Sequence, residues 1–268
     1  MTGAYHVHPR AQGGHVHCNS IRARLDLVLA WLEREGPDIL CLQETKVTDE
    51  DFPADPFHER ALSVACHGRK AHAGVAFLSR QEPQSVVFGL EGVDEPDEGR
   101  LIAASFDGLS VVNTYVPQGR SPDSSHFQHK LQWLDALRSY FDQHYTPEDL
   151  LLWAGDFNVA PEDIDVYDPK RLAKHVDFHP DARKALEKVR EWGFVDLFRL
   201  HHPDEAQQYS FWDYRVPQAL ERGMGWRVDH IWTTERLADK CTDCWIDVQP
   251  RRAEKPSDHT FVVAGFDL

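Results

Sequence analysis

The segment LLLWAGDFNVAP, Leu150 to Pro161, decides how the chain is read. It opens on four large apolar side chains in a row, Leu150 to Trp153, a run suited to a strand buried on both faces. It then passes through Ala154-Gly155 straight into Asp156-Phe157-Asn158. Polar groups are costly to bury without partners. A buried strand that ends in a carboxylate and a carboxamide is a strand that aims them. Side chains alternate along a strand, so Asp156 and Asn158 are expected on one face.

The same arrangement recurs upstream. Ile21, Leu25, Val28, Leu29 and Leu32 fall at helical spacing between Ser20, which fits an N-cap, and Gly36-Pro37, which stops a helix. The short apolar run Asp38 to Leu42 follows and ends in Gln43-Glu44-Thr45. Phe127, Leu131, Leu134, Leu137 and Phe141 mark the helix that precedes the Leu150 strand, and Asp181 to Trp192 reads as a third. Further strands are predicted over Gly74–Leu78, Leu101–Phe106, Ser110–Val116, Arg227–Thr233, Cys244–Val248 and Thr260–Phe266. Gly89 to Gly99 (GLEGVDEPDEG) reads as a surface loop. Strands and helices mix along the whole length, without repeats, which points to one α/β domain with helices outside the sheet.

Composition limits the function classes. The 268 residues carry 29 basic and 44 acidic side chains, a net charge of -15. That argues against a general nucleic-acid coat protein, yet leaves room for an enzyme with one local basic groove. It also suits a salty cytoplasm. No apolar run approaches the roughly 20 residues of a membrane span, and the N-terminus has no apolar leader. The 5 cysteines are odd in number and form no framework, so they read as reduced thiols of a cytoplasmic protein. Cys241-x-x-Cys244 reads as two packed thiols rather than a metal or redox pair.

Polar residues end or begin four of these strands. They are Gln43-Glu44, Asp156 with Asn158, Asp229-His230, and Ser257-Asp258-His259. Any one of these acids alone is better read as a helix cap or a surface ion pair. Together they describe a site for a cation and a reacting group. Glu44 and Asp258 offer the hard oxygens that Mg²⁺ takes, and Asn158 a neutral oxygen and a donor. His259 beside Asp229 is held as a cation against a phosphoryl oxygen. Asp156 is placed to deprotonate a water for attack on phosphorus.

DILCLQETK (Asp38 to Lys46), NTYVPQG (Asn113 to Gly119), GDFNVAPEDIDVYDP (Gly155 to Pro169), YSFWDYR (Tyr209 to Arg215), GWRVDHIW (Gly225 to Trp232) and KPSDHTFV (Lys255 to Val262) together resemble the exonuclease III family. These are metal-dependent DNA-repair nucleases of the endonuclease/exonuclease/phosphatase superfamily. QET, GDFN and SDH indicate the superfamily; SFWDYR, GWRVDH and KPSDH indicate the exonuclease III branch.

The resemblance runs from about Asn19 to the C-terminus. It implies a four-layered α/β sandwich: two mixed sheets face to face, with helices outside. It implies an abasic-site endonuclease with 3′-5′ exonuclease and 3′-phosphatase activity on duplex DNA, using Mg²⁺, with Mn²⁺ as a substitute, and acting as a monomer. Catalytic roles fall to Tyr115, Asp156, Asn158, Asp229 and His259. The metal falls to Glu44 and Asp258, with Asn19, Asp156, Asn158 and His259 beside them. Asn113, Lys70, Arg100, Phe211 and Trp226 bind substrate, the two aromatics lining a pocket for a flipped abasic sugar. Arg69, His72, Arg120 and Lys130 are further candidates for phosphate contacts.

The start departs from the family. AQGGHVHCNSIRAR keeps the second Asn of the family motif as Asn19 but places His17 at the first. Arg10, Gln12, Gly13, Gly14 and His15 are poor strand formers. Residues 1–16 are therefore expected to form an atypical segment with a degraded strand edge, and residues 17–268 the single catalytic domain. His17 is a potential donor, or a ligand for a softer ion such as Mn²⁺ or Zn²⁺, and weakened Mg²⁺ binding or weakened stability is expected. Replacing His17 by Asn is then expected to raise activity at low Mg²⁺. Two competing readings are a superfamily phosphatase or sphingomyelinase, and a nuclease-like scaffold that binds DNA or a partner without turnover.

Overall fold

The computed structural model describes residues 10–91 and 99–268. Most of the expected surface loop, 92–98, lies outside the described residues. In chain order the elements are β1 (Arg10–His17), α1 (Ile21–Glu35), β2 (Ile39–Gln43), α2 (Asp55–His58), β3 (Ser63–His67), β4 (Val75–Ser79), β5 (Ser85–Phe88), β6 (Leu101–Phe106) and β7 (Leu109–Tyr115). There follow α3 (Ser125–His144), β8 (Leu150–Asp156), α4 (Pro169–Leu172), α5 (Pro180–Arg190), β9 (Phe194–Asp196), α6 (Leu197–His201), β10 (Asp229–Thr234), α7 (Glu235–Ala238), β11 (Cys241–Asp247) and β12 (Phe261–Asp267). The strands form two six-stranded sheets, ordered β11-β12-β1-β2-β4-β3 and β5-β6-β7-β8-β10-β9.

Three apolar layers hold this together. Cys41, Val75 and Phe77 of the first sheet meet Ile102, Val111, Leu152 and Ile231 of the second in the inter-sheet core. Val28, Trp31 and Leu32 of α1 cover the outer face of the first sheet. Trp133, Leu134, Leu137 and Phe141 of α3, with Leu186 and Val189 of α5, cover the second. The result is the expected four-layered sandwich, because each sheet must bury both faces.

The N-terminal run departs from expectation. It is not a degraded edge but an inner strand. β1 runs parallel to β2 and antiparallel to β12, with Gly13 opposite both Ile39 and Ala264. The boundary expected between residues 16 and 17 thus falls inside a strand. Ladders on both sides outweigh the poor propensity of these residues. Gly14 has a packing reason: a Cβ there would stand 3.0 Å from Cη2 of Trp31. Ser20 also differs from its reading as a cap. Its side chain makes no capping bond. Instead the Ser20 and Ile21 N–H groups donate to Glu44 O and Thr45 O, at 2.8 and 3.1 Å, which ties the start of α1 to the QET turn. Cys241 is half-buried and Cys244 buried, each with a free thiol.

Candidate active site

Strand parity assembles the site. On β8, Leu151 and Trp153 pack toward α3, while Leu152 and Ala154 face the other sheet. Asp156 continues the second set and points between the sheets at their end. The same alternation turns Asp229 inward on β10, Asn113 and Tyr115 inward on β7, and His15 and His17 inward on β1. Asp156 lies level with Asp229 on one side and Tyr115 on the other. Gly155 is required where β8 crosses β7. Its φ is +143°, and a Cβ there would fall 1.9 Å from Thr114 O.

Asp156 is fully buried. Its Oδ1 accepts the Asn158 N–H at 2.8 Å, and its Oδ2 accepts Asn158 Nδ2 at 3.0 Å. The strand has already ended at Asp156. Asn158 therefore reaches its partner from a turn, with φ 49°, rather than by the strand alternation expected from the sequence. His17 Nδ1 lies 2.7 Å from Asp156 Oδ2, and His17 Nε2 contacts Glu44 Oε2. The His17 ring stacks on His259, centroids 4.0 Å apart and planes 10° apart. Burial alone would lower the His17 pKa, but Glu44 and Asp156 on either side raise it well above 6.5. Burial would raise Glu44, yet His17, then Lys46, hold its carboxyl down at about 2. Burial raises Asp156, toward the range in which a carboxylate takes a proton readily. Tyr115 OH donates to Glu44 Oε1 at 3.2 Å.

His259 is oriented from behind. Its Nδ1 donates to Asp229 Oδ2 at 2.8 Å, and Ser210 Oγ donates to the same oxygen at 2.6 Å. Burial pulls the imidazole pKa down, but the Asp229 carboxylate outweighs it and the pKa is raised. Ser257 Oγ donates to His17 O at 2.7 Å and so stitches the SDH turn to β1. Beneath the site lies a second polar layer, fully buried His15 and Gln43. Burial holds His15 neutral, with its pKa lowered to about 4.

Comparison with known proteins fits this geometry. The model of the endonuclease/exonuclease/phosphatase family matches residues 16–259. The exodeoxyribonuclease III of Haemophilus influenzae is 34% identical over 92% of this chain and 97% of its own length. The chain belongs to the endonuclease/exonuclease/phosphatase family, in its exonuclease III branch. Among solved structures, an AP endonuclease from Archaeoglobus fulgidus superposes with a TM-score of 0.93 at 49% identity, covering 96% of this chain and 100% of that one. A 3′ phosphatase from Neisseria, bound to a product DNA hairpin, superposes with a TM-score of 0.90 at 35% identity, again covering 96% and 100%.

The remaining expected site residues divide. Asn19 Nδ2 donates to Asp258 Oδ1 at 3.0 Å, and Lys46 Nζ donates to Asn19 Oδ1 at 2.7 Å, so Asn19 and Asp258 stand together beside Glu44. Lys46 also pairs with Glu44 Oε1 at 3.3 Å. Phe211 is half-buried, its ring 4.7 Å from that of His259. Arg100 sits over the Tyr115 ring at 4.8 Å. With Arg69, His72, Arg120, His126 and His129 it lines a cleft of about 420 Å³ that opens beside Tyr115. The charged side chains that line it are all basic, against the acidic charge of the whole chain.

Three expectations are corrected. Asn113 does not face substrate: it is fully buried and ties the two sheets, taking Gln43 Nε2 at 2.7 Å and donating to Leu42 O and Ala76 O. Lys130 is no surface phosphate contact. It is fully buried, and its Nζ donates to Gln118 O, Asn158 O, Val176 O and Asp177 Oδ1. It pins the GDFN turn to the YVPQG loop. Trp226 is 7% exposed and packs with Val166, Phe178 and Val228, a wall behind Phe211 rather than an open face. Lys70 is exposed, next in sequence to Arg69, which lines the cleft.

Sequence reasoning missed Lys46, Ser210 and Ser257. Lys46 closes the quoted QETK motif, which was the available signal. Ser210 and Ser257 lie within the quoted motifs SFWDYR and KPSDH, but neither serine is given a role by them.

Exonuclease III relatives depend on a divalent cation, and the donors here fit one. Glu44 and Asp258 supply carboxylate oxygens close to an amide, Asn19. His17, Asp156 and His259 each bring a ligand atom within 4.8 Å of the other two.

Proposed function

We propose that this chain is a DNA-repair phosphodiesterase that nicks duplex DNA 5′ to an abasic site and trims or dephosphorylates 3′ ends, acting as a monomer in a reducing cytoplasm. One observation carries the reading. A buried carboxylate, Asp156, stands with the Asp229–His259 pair and lies level with Tyr115, which in turn lines a cleft of arginine and histidine. Among the described residues no helix is long and apolar enough to cross a membrane, and the cysteines are free, in keeping with such a setting.

The chemistry follows from the residues. Asp156, fixed by two bonds from Asn158, orients a water and takes its proton. His259, charged and backed by Asp229, faces the phosphoryl oxygen where negative charge grows. Tyr115 contacts the same phosphate. Glu44 and Asp258 would hold a divalent ion, Mg²⁺ or in its place Mn²⁺, which would supply further positive charge at the phosphate. Phe211 with Trp226 behind it forms an apolar wall for a sugar that lacks a base. Such a nucleotide is cheap to extrude because little stacking is lost. Arg100, Arg69 and Arg120 hold the phosphates of the flanking strand.

The test is a duplex carrying one abasic analogue beside an undamaged duplex and a phosphoinositide. Nicking of the first alone, 5′ to the lesion, is expected. Hydrolysis of the phosphoinositide with no nicking would replace the reading with that of a phosphatase.

A further inference from the structure

His230 follows Asp229 directly but faces the other way. Alternation puts it on the opposite side of β10, its ring 4.9 Å from that of Phe157 and 5.7 Å from that of Trp232. It is fully buried. Its Nδ1 lies 3.0 Å from Arg227 Nη1, which can only donate, and its Nε2 lies 3.0 Å from Val159 O, which can only accept. The ring hydrogen is therefore on Nε2, and His230 donates it to Val159 O. Arg227 is itself buried and held from two sides. Its Nε and Nη2 donate to Asp165 at 2.7 and 3.1 Å, and its Nη1 donates to Asp196 at 3.1 Å. Arg199 brings a second guanidinium to Asp165. A buried ion cluster of this kind is weak evidence for stability, because apolar side chains of similar volume often do as well. Here it fixes the direction of one N–H.

That N–H arrives at the turn after Asp156. The Phe157 N–H donates to Val228 O at 2.9 Å, Lys130 Nζ donates to Asn158 O at 2.6 Å, and His230 holds Val159 O. The first and last of these ties run to the residues on either side of Asp229. Asn158, between them, holds Asp156 by two bonds. We propose that His230, its tautomer set by Arg227, is a positioning residue for the reaction. It sets the spacing between Asp156 and the Asp229–His259 pair, so that the water-orienting carboxylate and the phosphate-facing imidazole meet on one phosphorus. It touches none of the reacting atoms itself. The inference rests on the reading of the site as a phosphodiesterase in which Asp156 takes a proton from water.

Two variants separate the donor from the space it fills. His230→Gln keeps an N–H that reaches Val159 O; His230→Phe keeps a planar ring and removes the N–H. Single-turnover nicking of an abasic duplex, hydrolysis of bis(p-nitrophenyl) phosphate and DNA affinity are measured on the folded wild type and both variants. His230→Phe is expected to nick about 10- to 100-fold more slowly with affinity nearly unchanged, the scale of a misplaced reacting group. His230→Gln is expected to recover most of the rate. A wild-type rate in His230→Phe, or a rate in His230→Gln as low as in His230→Phe, would overturn the proposal. Proton–nitrogen correlation spectra of the intact wild type read the ring directly and decide the case where His230→Phe does not fold. The His230 signals are those lost in His230→Gln. An Nε2–H tautomer is expected, and an Nδ1–H tautomer or a doubly protonated ring at neutral pH would overturn the proposal. A wild type that hydrolyses bis(p-nitrophenyl) phosphate but does not nick the abasic duplex would remove the repair reading alone, and the same order of rates on the simple diester would then carry the role of His230.

Discussion

Asp229 Oδ2 accepts from His259 Nδ1 and from Ser210 Oγ at once. That double duty fixes the ring and keeps the carboxylate ionised beside it. The consequence for pH has a definite sign. His259 has a raised pKa, so its charged form is complete below the ordinary histidine value of about 6.5 and persists above it, failing only as pH rises through the raised value. In Asp229→Asn the support disappears, and the falling alkaline limb of the kcat profile is expected at lower pH. The rate falls by about 10² to 10⁴, the usual range for a displaced acid–base partner. A pH–rate profile under saturating DNA measures both, and an unmoved limb would free Asp229 of this role. At this scale the sequence disclosed the acids and the histidine, because they end strands. It did not disclose Ser210 or Ser257, whose partners lie 19 and 240 residues away and are set only by folding.

Elements decide where those side chains arrive. The strand-end pattern located Glu44, Asp156 and Asp229 because alternation and burial are written locally. Asn113 and Lys130 were misread because polarity in sequence says nothing about which interior group waits for it. Lys130 is the clearer case. Four acceptors from three loops converge on one ammonium. Lys130→Met would strand Asp177 and three carbonyls, at a cost of about 3–5 kcal/mol. Urea denaturation reads the loss, and kcat is expected to fall with it, because Asn158 O is one of the four. β1 was misread for a different reason: its two glycines mask a strand that its neighbours impose. The two have opposite expected responses. A Cβ at Gly13 meets nothing within 4 Å and borders an apolar cavity of about 40 Å³, so Gly13→Ala is expected to add about 0.5–1 kcal/mol. Gly14→Ala pushes on the Trp31 ring and is expected to destabilise. Equal urea midpoints for the two variants would contradict the packing described for β1.

For the whole molecule, a net charge of -15 surrounds a cleft whose charged lining is basic. Long-range attraction to DNA is therefore expected to be weak, and the proposed binding to depend on the few contacts made inside that cleft. Each phosphate neutralised contributes about -0.9 to the slope of log affinity against log salt. If Arg120, exposed at the cleft rim, makes one such contact as proposed, Arg120→Ala is expected to flatten the slope by about 0.9 and leave the position of cleavage unchanged. Fluorescence anisotropy across a salt series measures it, and an identical slope would place the DNA elsewhere. The sandwich itself was legible only through the family resemblance. Local patterns name strands and helices but not the order in which twelve strands join two sheets.

In the proposed function the buried carboxylate of GDFN performs the chemistry while the cleft holds the DNA. Single-turnover nicking of an abasic duplex by Asp156→Asn, with DNA affinity measured on the same preparation, tests it directly. A rate lower by about 10² to 10⁴ with affinity nearly unchanged is the expected result. Nicking at the wild-type rate by the folded variant would contradict the account.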